Sequence, residues 1–377
     1  MKIKEIQIKN FRNYRHLNLK LNENFNVFFG RNGSGKTNIL EAISMLISGK
    51  SFRTSKDKDV LNFDANAYEI DALIERQGLE KDYNLLYERD KKKKIQVNLS
   101  NVSTLRELRR ESPLVVFIPE DMKIVKEGPS LRRKYLDEAI SNLDLIYRYN
   151  LNKYNKILKE KNELLKVRNR NLNERLLFEA YNIQLASLGS YIVMGRKKYI
   201  DTLNEEIKDV HLNISDGDEI IYIKYESPLE QYNDLKEIEN YMLEGLRKAL
   251  DRDLFVKYST YGPHRDDLEI FVNDRELKVF GSQGQQRSAI ISMKIVEINL
   301  IEKYRNIRPI LLLDDVFSEL DSYRRKKLID SISGIQSFIT MAEKMYLEDF
   351  KNANSNIYLV ENNGVKQLNG GNNDREQ

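Results

Sequence analysis

Cysteine is absent from the 377 residues, which excludes disulfides and thiolate metal sites and is compatible with a reducing cytosol. The three histidines also argue against zinc chemistry. No run of about 18 apolar residues occurs, so no span of a bilayer and no membrane partner is expected. The opening MKIKEIQIKNF alternates Ile3, Ile6 and Ile8 with lysines, and so lacks the continuous apolar core of a signal peptide. An excess of one charge is missing too: 62 Lys and Arg against 58 Asp and Glu leave +4, too near balance to announce a nucleic-acid partner unaided. Any electropositive surface has to come from local clustering. The expectation is a soluble, cytoplasmic chain, long enough for one large domain with an insertion or for two domains.

Patterning divides the chain into three stretches. Over 1–115 the expected elements are strands at 3–8, 17–21 and 25–29, a helix over 36–47, and then short alternating strands in YEIDALIER, YNLLYER and KIQVNL that suit an antiparallel meander. From about 132 to 210 the pattern is helical and free of proline. Leu143, Tyr147, Leu151, Tyr154, Leu158 and Leu165 recur at threes, fours and sevens, as do Tyr181, Leu185, Leu188, Ile192, Tyr199, Leu203 and Val210. The polar run RNRNLNE, 168–174, suits the tip of an antiparallel helical hairpin, either a projecting arm or two helices packed on a core. Strands and short helices return later, and RPILLLDDVFSELD marks a fully buried strand. The fold expected is α/β: a head split between 1–115 and 251–377, with a mostly α-helical lobe at 116–250.

VFFGRNGSGKTNIL satisfies G-x-x-x-x-G-K-[ST] directly after an apolar strand and directly before a helix. Gly30, Gly33 and Gly35 let the backbone N–H groups of Gly30, Arg31, Asn32, Gly33, Ser34, Gly35, Lys36 and Thr37 face phosphates, and the helix N-terminus adds its dipole. Lys36 reaches the β- and γ-phosphates and the Thr37 hydroxyl ligates Mg²⁺, so the cofactors expected are ATP and Mg²⁺. Such a site needs a metal-side carboxylate at the end of a neighbouring buried strand. Asp314, after Ile310 to Leu313, supplies it; Asp315 follows, placed either to take a proton from the attacking water or to cap the next helix.

FGSQGQQRSAIISMK, 280–294, is a donor-rich turn feeding a helix. Ser282, the Gly284 amide and the helix N-terminus form an anion-binding end. Because the loop at 30–37 already serves this chain's own nucleotide, the economical use of that end is the γ-phosphate held by a second copy in an ATP-dependent homodimer. A Gly-Ser helix cap without a ligand is the alternative.

The ordered set of Gly30 to Thr37, SQGQQR and LLLDDVFSELD resembles the ABC-type ATPase heads of the SMC group, in which the second motif is a signature loop that completes the partner's site. PEDMKIVKEGPSLRRKYLD at 119–137, YGPHRDDLEI at 261–270 and the opening IKNFRNY narrow the resemblance to the RecF family of DNA repair proteins, over almost the whole chain. It implies that Arg12 and Asn13 lie near the adenine and phosphates. It gives Asp314 the Mg²⁺ role, Asp315 the water-polarising role, and Ser282, Gly284 and Gln285 the contact in trans, with 318–321 crossing the dimer interface. It further implies weak DNA-stimulated ATP hydrolysis, binding of duplex DNA and of junctions with single-stranded gaps, and cooperation with RecR and RecO in placing RecA. Three residues depart from the wider pattern: Asp315 replaces a glutamate, Gln283 a glycine, and Thr340 the switch histidine. Glu120 stands in for an absent glutamine. Slow hydrolysis is therefore expected, since the shorter carboxylate sits farther back and no imidazole helps. Candidate basic surfaces are Lys50, Arg53, Lys56 and Lys58; Lys91 to Lys94; Arg109 and Arg110; and Arg324 to Lys327. Arg132 and Arg133 are candidates for bracing the helical region against the head. Other readings are a transporter ATPase subunit, in which Ser282 would follow Thr37 without a long helical insertion, and a nucleotide-gated scaffold with negligible hydrolysis.

Overall fold

The computed structural model describes residues 1–368 apart from 77, 103–112, 168–171, 216, 218, 343, 351–352 and 362–363. Arg109, Arg110 and part of the expected hairpin tip lie outside these. The chain forms two compact units, 1–121 with 297–377, and 122–296.

The first unit holds two six-stranded sheets. One is antiparallel, in the order Tyr14–Lys20, Lys2–Phe11, Ala67–Arg76, Leu79–Glu88, Lys94–Val97, Ser100–Asn101. In its second strand Ile3 and Ile6 are both buried although an odd spacing should put them on opposite faces. The register shifts between Ile3 and Glu5, and that bulge returns both side chains to the core. The other sheet runs Gly364–Leu368, Ser355–Glu361, Phe25–Phe29, Ser337–Met341, Ile310–Leu313, Leu114–Phe117, with every pairing parallel except the first. Phe25–Phe29, Ile310–Leu313 and Ser337–Met341 are buried along their whole length, as expected of parallel strands covered on both faces. Helix Lys36–Ser48 is buried nearly all round after its first turn. Ile39, Leu40, Ile43, Met45 and Leu46 join one core with Ile6 and Leu85 of the first sheet and Leu312 and Phe338 of the second.

The expected neighbour relation is corrected here. Ile310–Leu313 is paired with Ser337–Met341 and Leu114–Phe117, not with Phe25–Phe29. One strand therefore separates the strand before the glycine loop from the strand that ends at Asp314, and it carries Thr340.

The second unit combines helices Pro129–Leu143, Leu145–Leu165, Leu172–Ile214, Leu235–Lys248 and Leu250–Val256 with a three-stranded antiparallel sheet of Arg275–Glu276, Asp267–Val272 and Ile221–Glu226. Helix Leu172–Ile214 packs along both Leu145–Leu165 and Leu235–Lys248. A Cβ at Gly189 would lie 2.4 Å from Met242 Sδ, and one at Gly195 would lie 2.7 Å from the Tyr147 ring. The two glycines of this long helix thus sit where side chains of its neighbours press against its backbone and leave no room for a Cβ. Because Ile221–Glu226 pairs with Asp267–Val272, this unit extends past residue 250. The division between units falls inside helix Gln283–Arg305.

YGPHRDD closes a buried polar cluster in this unit. Arg196 donates to both oxygens of Asp137, at 2.9 and 3.0 Å, and to the Pro263 carbonyl at 2.6 Å. Lys161 pairs with Asp253 at 3.1 Å, both fully buried. Tyr154 Oη lies 2.7 Å from His264 Nδ1, and burial pushes His264 down to about 4, so its ring is neutral at neutral pH. Arg132 donates to both oxygens of Asp267 at 2.7 Å, and Arg133 to the Asp266 carbonyl at 2.6 Å. These two arginines brace elements of their own unit. Removing one partner from such a buried ion pair costs about 3–5 kcal/mol, so the motif is accounted for by folding.

Candidate functional site

The loop between Phe25–Phe29 and helix Lys36–Ser48 closes tightly enough to require glycine. Gly35 has φ 108°, and a Cβ there would sit 2.4 Å from Asn13 Nδ2; a Cβ at Gly30 would sit 2.3 Å from the Val360 carbonyl oxygen. Arg31, Asn32 and Gly33 are exposed at the crest. Ser34 Oγ, by contrast, is buried without a hydrogen-bond partner among the described residues. Lys36 folds back over the loop and donates to the carbonyls of Gly30 at 2.7 Å and Arg31 at 3.0 Å. Burial lowers its pKa, an effect that the charges of Asp315 and Asp314 oppose.

Asp314 is the convergence point. Its Oδ1 accepts from Thr37 Oγ1 at 2.8 Å and from Thr340 Oγ1 at 2.7 Å, and its N–H donates to the Phe117 carbonyl at 2.9 Å. Two adjacent ligands of an octahedral Mg²⁺ stand roughly 2.9 Å apart, so the Thr37 hydroxyl and the Asp314 carboxylate fit that ion as they lie. Among the described residues no three acids or histidines converge on a common metal position. Asp315 has φ 51°, its N–H donates to Thr340 Oγ1 at 2.9 Å, and its carbonyl accepts from Ser318 Oγ at 2.8 Å. Asp321, at the end of that loop, caps helix Ser322–Ser331 through the Arg324 N–H at 2.9 Å. Cap and candidate water-side acid are thus different residues. Glu120 is exposed just beyond Leu114–Phe117, the strand paired with Ile310–Leu313.

The two predicted residues of FRNY part company. Asn13 Nδ2 donates to the Ser34 carbonyl at 3.3 Å and Asn13 Oδ1 accepts from Asn38 at 2.7 Å, so Asn13 touches the loop. The Arg12 guanidinium is held by both oxygens of Glu41, at 2.9 and 2.7 Å, and by the Asp59 carbonyl at 2.6 Å. Both line a cleft of about 870 Å³ with Arg15, His16, Asn38, Arg53, Lys58, Phe63 and Arg89. Glu41 was missed in the sequence. It is fully buried and also accepts from Ser51 at 2.6 Å and Arg53 at 3.4 Å. A lone acid amid the apolar residues of a buried helix is the signal that would have found it, since a buried carboxylate demands partners.

In the second unit Ser282 and Gln285 form a reciprocal cap: the Ser282 N–H donates to Gln285 Oε1 at 2.9 Å, and the Gln285 N–H donates to Ser282 Oγ at 3.2 Å. Ser282 and Gln283 are exposed, Gly284 sits in the first helical turn, and Val279 and Phe280 just before it are 62% and 67% exposed. The Ser282 hydroxyl keeps its proton to donate.

Several candidate basic residues are engaged in ion pairs. Lys93 pairs with Asp57 at 2.6 Å, Lys91 with Glu88 at 3.1 Å, and Arg325 with Asp349 at 2.8 Å. Lys50, Lys56, Lys58, Lys92, Lys94 and Lys326 are exposed.

Residues 2–366 match the family model for the RecF/RecN/SMC N terminal domain. The chain is 40% identical to the DNA replication and repair protein RecF of Clostridioides difficile (strain 630), over 99% of this chain and 100% of that protein. A solved structure described as the recombination mediator protein RecF-ATP in the RecFOR pathway aligns with TM-score 0.83 at 34% identity, over 97% of this chain and 99% of the other. An SmcHead bound to the C-winged helix domain of ScpA aligns over 98% of this chain and 97% of its own with TM-score 0.58 at 15% identity, a likeness of fold alone.

Proposed function

Because the chain belongs to the RecF/RecN/SMC N-terminal domain family, and within it to the RecF proteins, we propose that it is an ATP-dependent mediator of recombinational DNA repair acting in the cytoplasm. One observation carries the reading: Thr37 and Asp314, 277 residues apart in sequence, meet at 2.8 Å beside Lys36. That is the junction at which a nucleotide-bound Mg²⁺ is held in enzymes with this loop.

The N–H groups of Gly30 to Thr37 cradle the triphosphate, and Lys36 leaves its two loop carbonyls for the β- and γ-phosphate oxygens. Thr37 and Asp314 would hold Mg²⁺, which would neutralise charge on the phosphates when bound. Asp315 orients the attacking water and takes its proton. The nucleoside occupies the cleft beside the loop, whose volume is in the usual range for small-molecule sites, with Asn13 on the phosphate side and Arg12 in the wall. Ser282, Gly284 and Gln285 bind the γ-phosphate held by a second copy, and the exposed Val279 and Phe280 add apolar area beside that contact. The homodimer that ATP closes in this way binds duplex DNA near junctions with single-stranded gaps. With RecR and RecO it helps to load RecA.

A DNA-stimulated ATPase measurement tests this reading. Hydrolysis should be slow, should rise when gapped duplex is added, and DNA binding should weaken steeply with salt, as phosphate neutralisation requires. The second reading is a nucleotide-gated scaffold, kept open by Asp315 standing in place of a glutamate and Thr340 in place of the switch histidine. No turnover with or without duplex would select it.

A further inference from the structure

The strand between the glycine loop and the acid pair carries one hydroxyl at its loop end. Thr340 is fully buried and paired with Phe28 of the loop strand, and the preceding Ile339 pairs with Leu313 of the acid strand. Its Oγ1 donates its single proton to Asp314 Oδ1 at 2.7 Å and accepts from the Asp315 N–H at 2.9 Å. Both acids are therefore referenced to one oxygen. The second of these bonds meets a strained backbone. Asp315 sits at φ 51°, a left-handed conformation that residues with a Cβ adopt rarely and that persists where neighbours over-determine it. The neighbours are visible on both sides of the residue: Thr340 holds its N–H and Ser318 holds its carbonyl, at 2.8 Å.

We propose that Thr340 is a positioning residue for ATP hydrolysis, whose hydroxyl keeps the Asp314 carboxylate turned toward Thr37 and holds the Asp315 turn that aims the second carboxylate. It acts through the two acids and not by reaching for the γ-phosphate. The inference rests on the reading of Asp314 and Asp315 given above. It goes beyond that reading in giving the strand between the two motifs a part in the chemistry.

Thr340→Val keeps the shape and removes both hydrogen bonds, whereas Thr340→Ser keeps the hydroxyl and removes the methyl. Three measurements on the full chain separate the possibilities: kcat and KM for ATP; affinity for a fluorescent ATP analogue in EDTA and across a Mg²⁺ titration; and the thermal midpoint without nucleotide. For Thr340→Val, kcat should fall by about tenfold to a hundredfold, the scale of a misplaced reacting group. Affinity in EDTA should stay within about twofold while most of the gain from Mg²⁺ disappears, because one loss concerns the metal-side carboxylate and the triphosphate cradle is untouched. Thr340→Ser should recover kcat to within about threefold, since the hydrogen-bonding oxygen is retained. The proposal is overturned if the valine variant keeps both kcat and its response to Mg²⁺, or if serine behaves as valine does. Should valine fail to fold, serine alone decides in the same two directions. Asp314→Ala separates the levels: if it leaves hydrolysis intact, the underlying site reading fails, and if it abolishes hydrolysis while Thr340→Val does not alter it, only the present inference fails.

Discussion

Replacing Lys36 with methionine is expected to weaken ATP binding by about a hundredfold or more, in line with the loss of charge-assisted hydrogen bonds worth about 1.5–3 kcal/mol each. Methionine matches the length of the lysine stem, so the buried position tolerates it; what disappears is the ammonium. In the structure that ammonium is stored on the carbonyls of Gly30 and Arg31. Those weak acceptors give it up readily to phosphate oxygens, which carry full charge. The depressed pKa of Lys36, caused first by burial, points the same way, since a desolvated cation gains most from an anion brought into contact. Titration with a fluorescent ATP analogue reads the effect directly, with the thermal midpoint as a check on folding. Affinity within about threefold of the unmodified protein, less than the loss of even one such bond, would contradict the assignment of the loop.

The second large effect is expected from Ser282→Arg. Ser282 shares its unit with none of the residues assigned to the chain's own nucleotide: Gly30 to Thr37, Asp314 and Asp315 all lie in the other unit. Nucleotide affinity of the monomer should stay within about twofold while ATP-dependent dimers are lost, since a bulky side chain now occupies the space reserved for the partner's γ-phosphate. The substitution also removes a reciprocal helix cap, at a cost of about 1 kcal/mol, which is too little to unfold the unit. Ser282→Ala carries that same cap loss without the bulk and serves as the control. Normal ATP-induced dimers of the arginine variant by light scattering would refute the contact in trans; the alanine variant, which loses the phosphate-binding hydroxyl together with the cap, should dimerise more weakly than the unmodified protein but better than the arginine variant, and an unchanged thermal midpoint in both excludes the lost cap as the cause.

The parts legible in the sequence were those written in local pattern. The glycine loop, its apolar strand and the four-residue run ending at Asp314 each need only neighbours within a few positions, and each was found as expected. Ile3 and Ile6 show how local reading reaches its limit: their spacing makes sense only with a bulge created by pairing to Ala67–Arg76. The order of the parallel strands is a tertiary property, so the strand interposed before Ile310–Leu313 could not be read from it, and the contact between Thr340 and the acids followed from that order. Glu41 was hidden for a related reason, because its partners Arg12, Ser51 and Arg53 converge only once the first hairpin folds over the helix. Arg132 does reach from the helical stretch to a residue past 250, Asp267, 135 positions away, but both lie in one compact unit. Motif spacing carries no information about such a pair.

The central claim is that ATP bound by one chain becomes the adhesive for a second, and sedimentation velocity measures it most directly. Without nucleotide the 44.4 kDa chain should sediment as a monomer. With ATP and Mg²⁺ it should shift to a dimer, and added duplex DNA should co-sediment with that dimer. A chain that remains monomeric in saturating ATP, with and without duplex, would contradict the account.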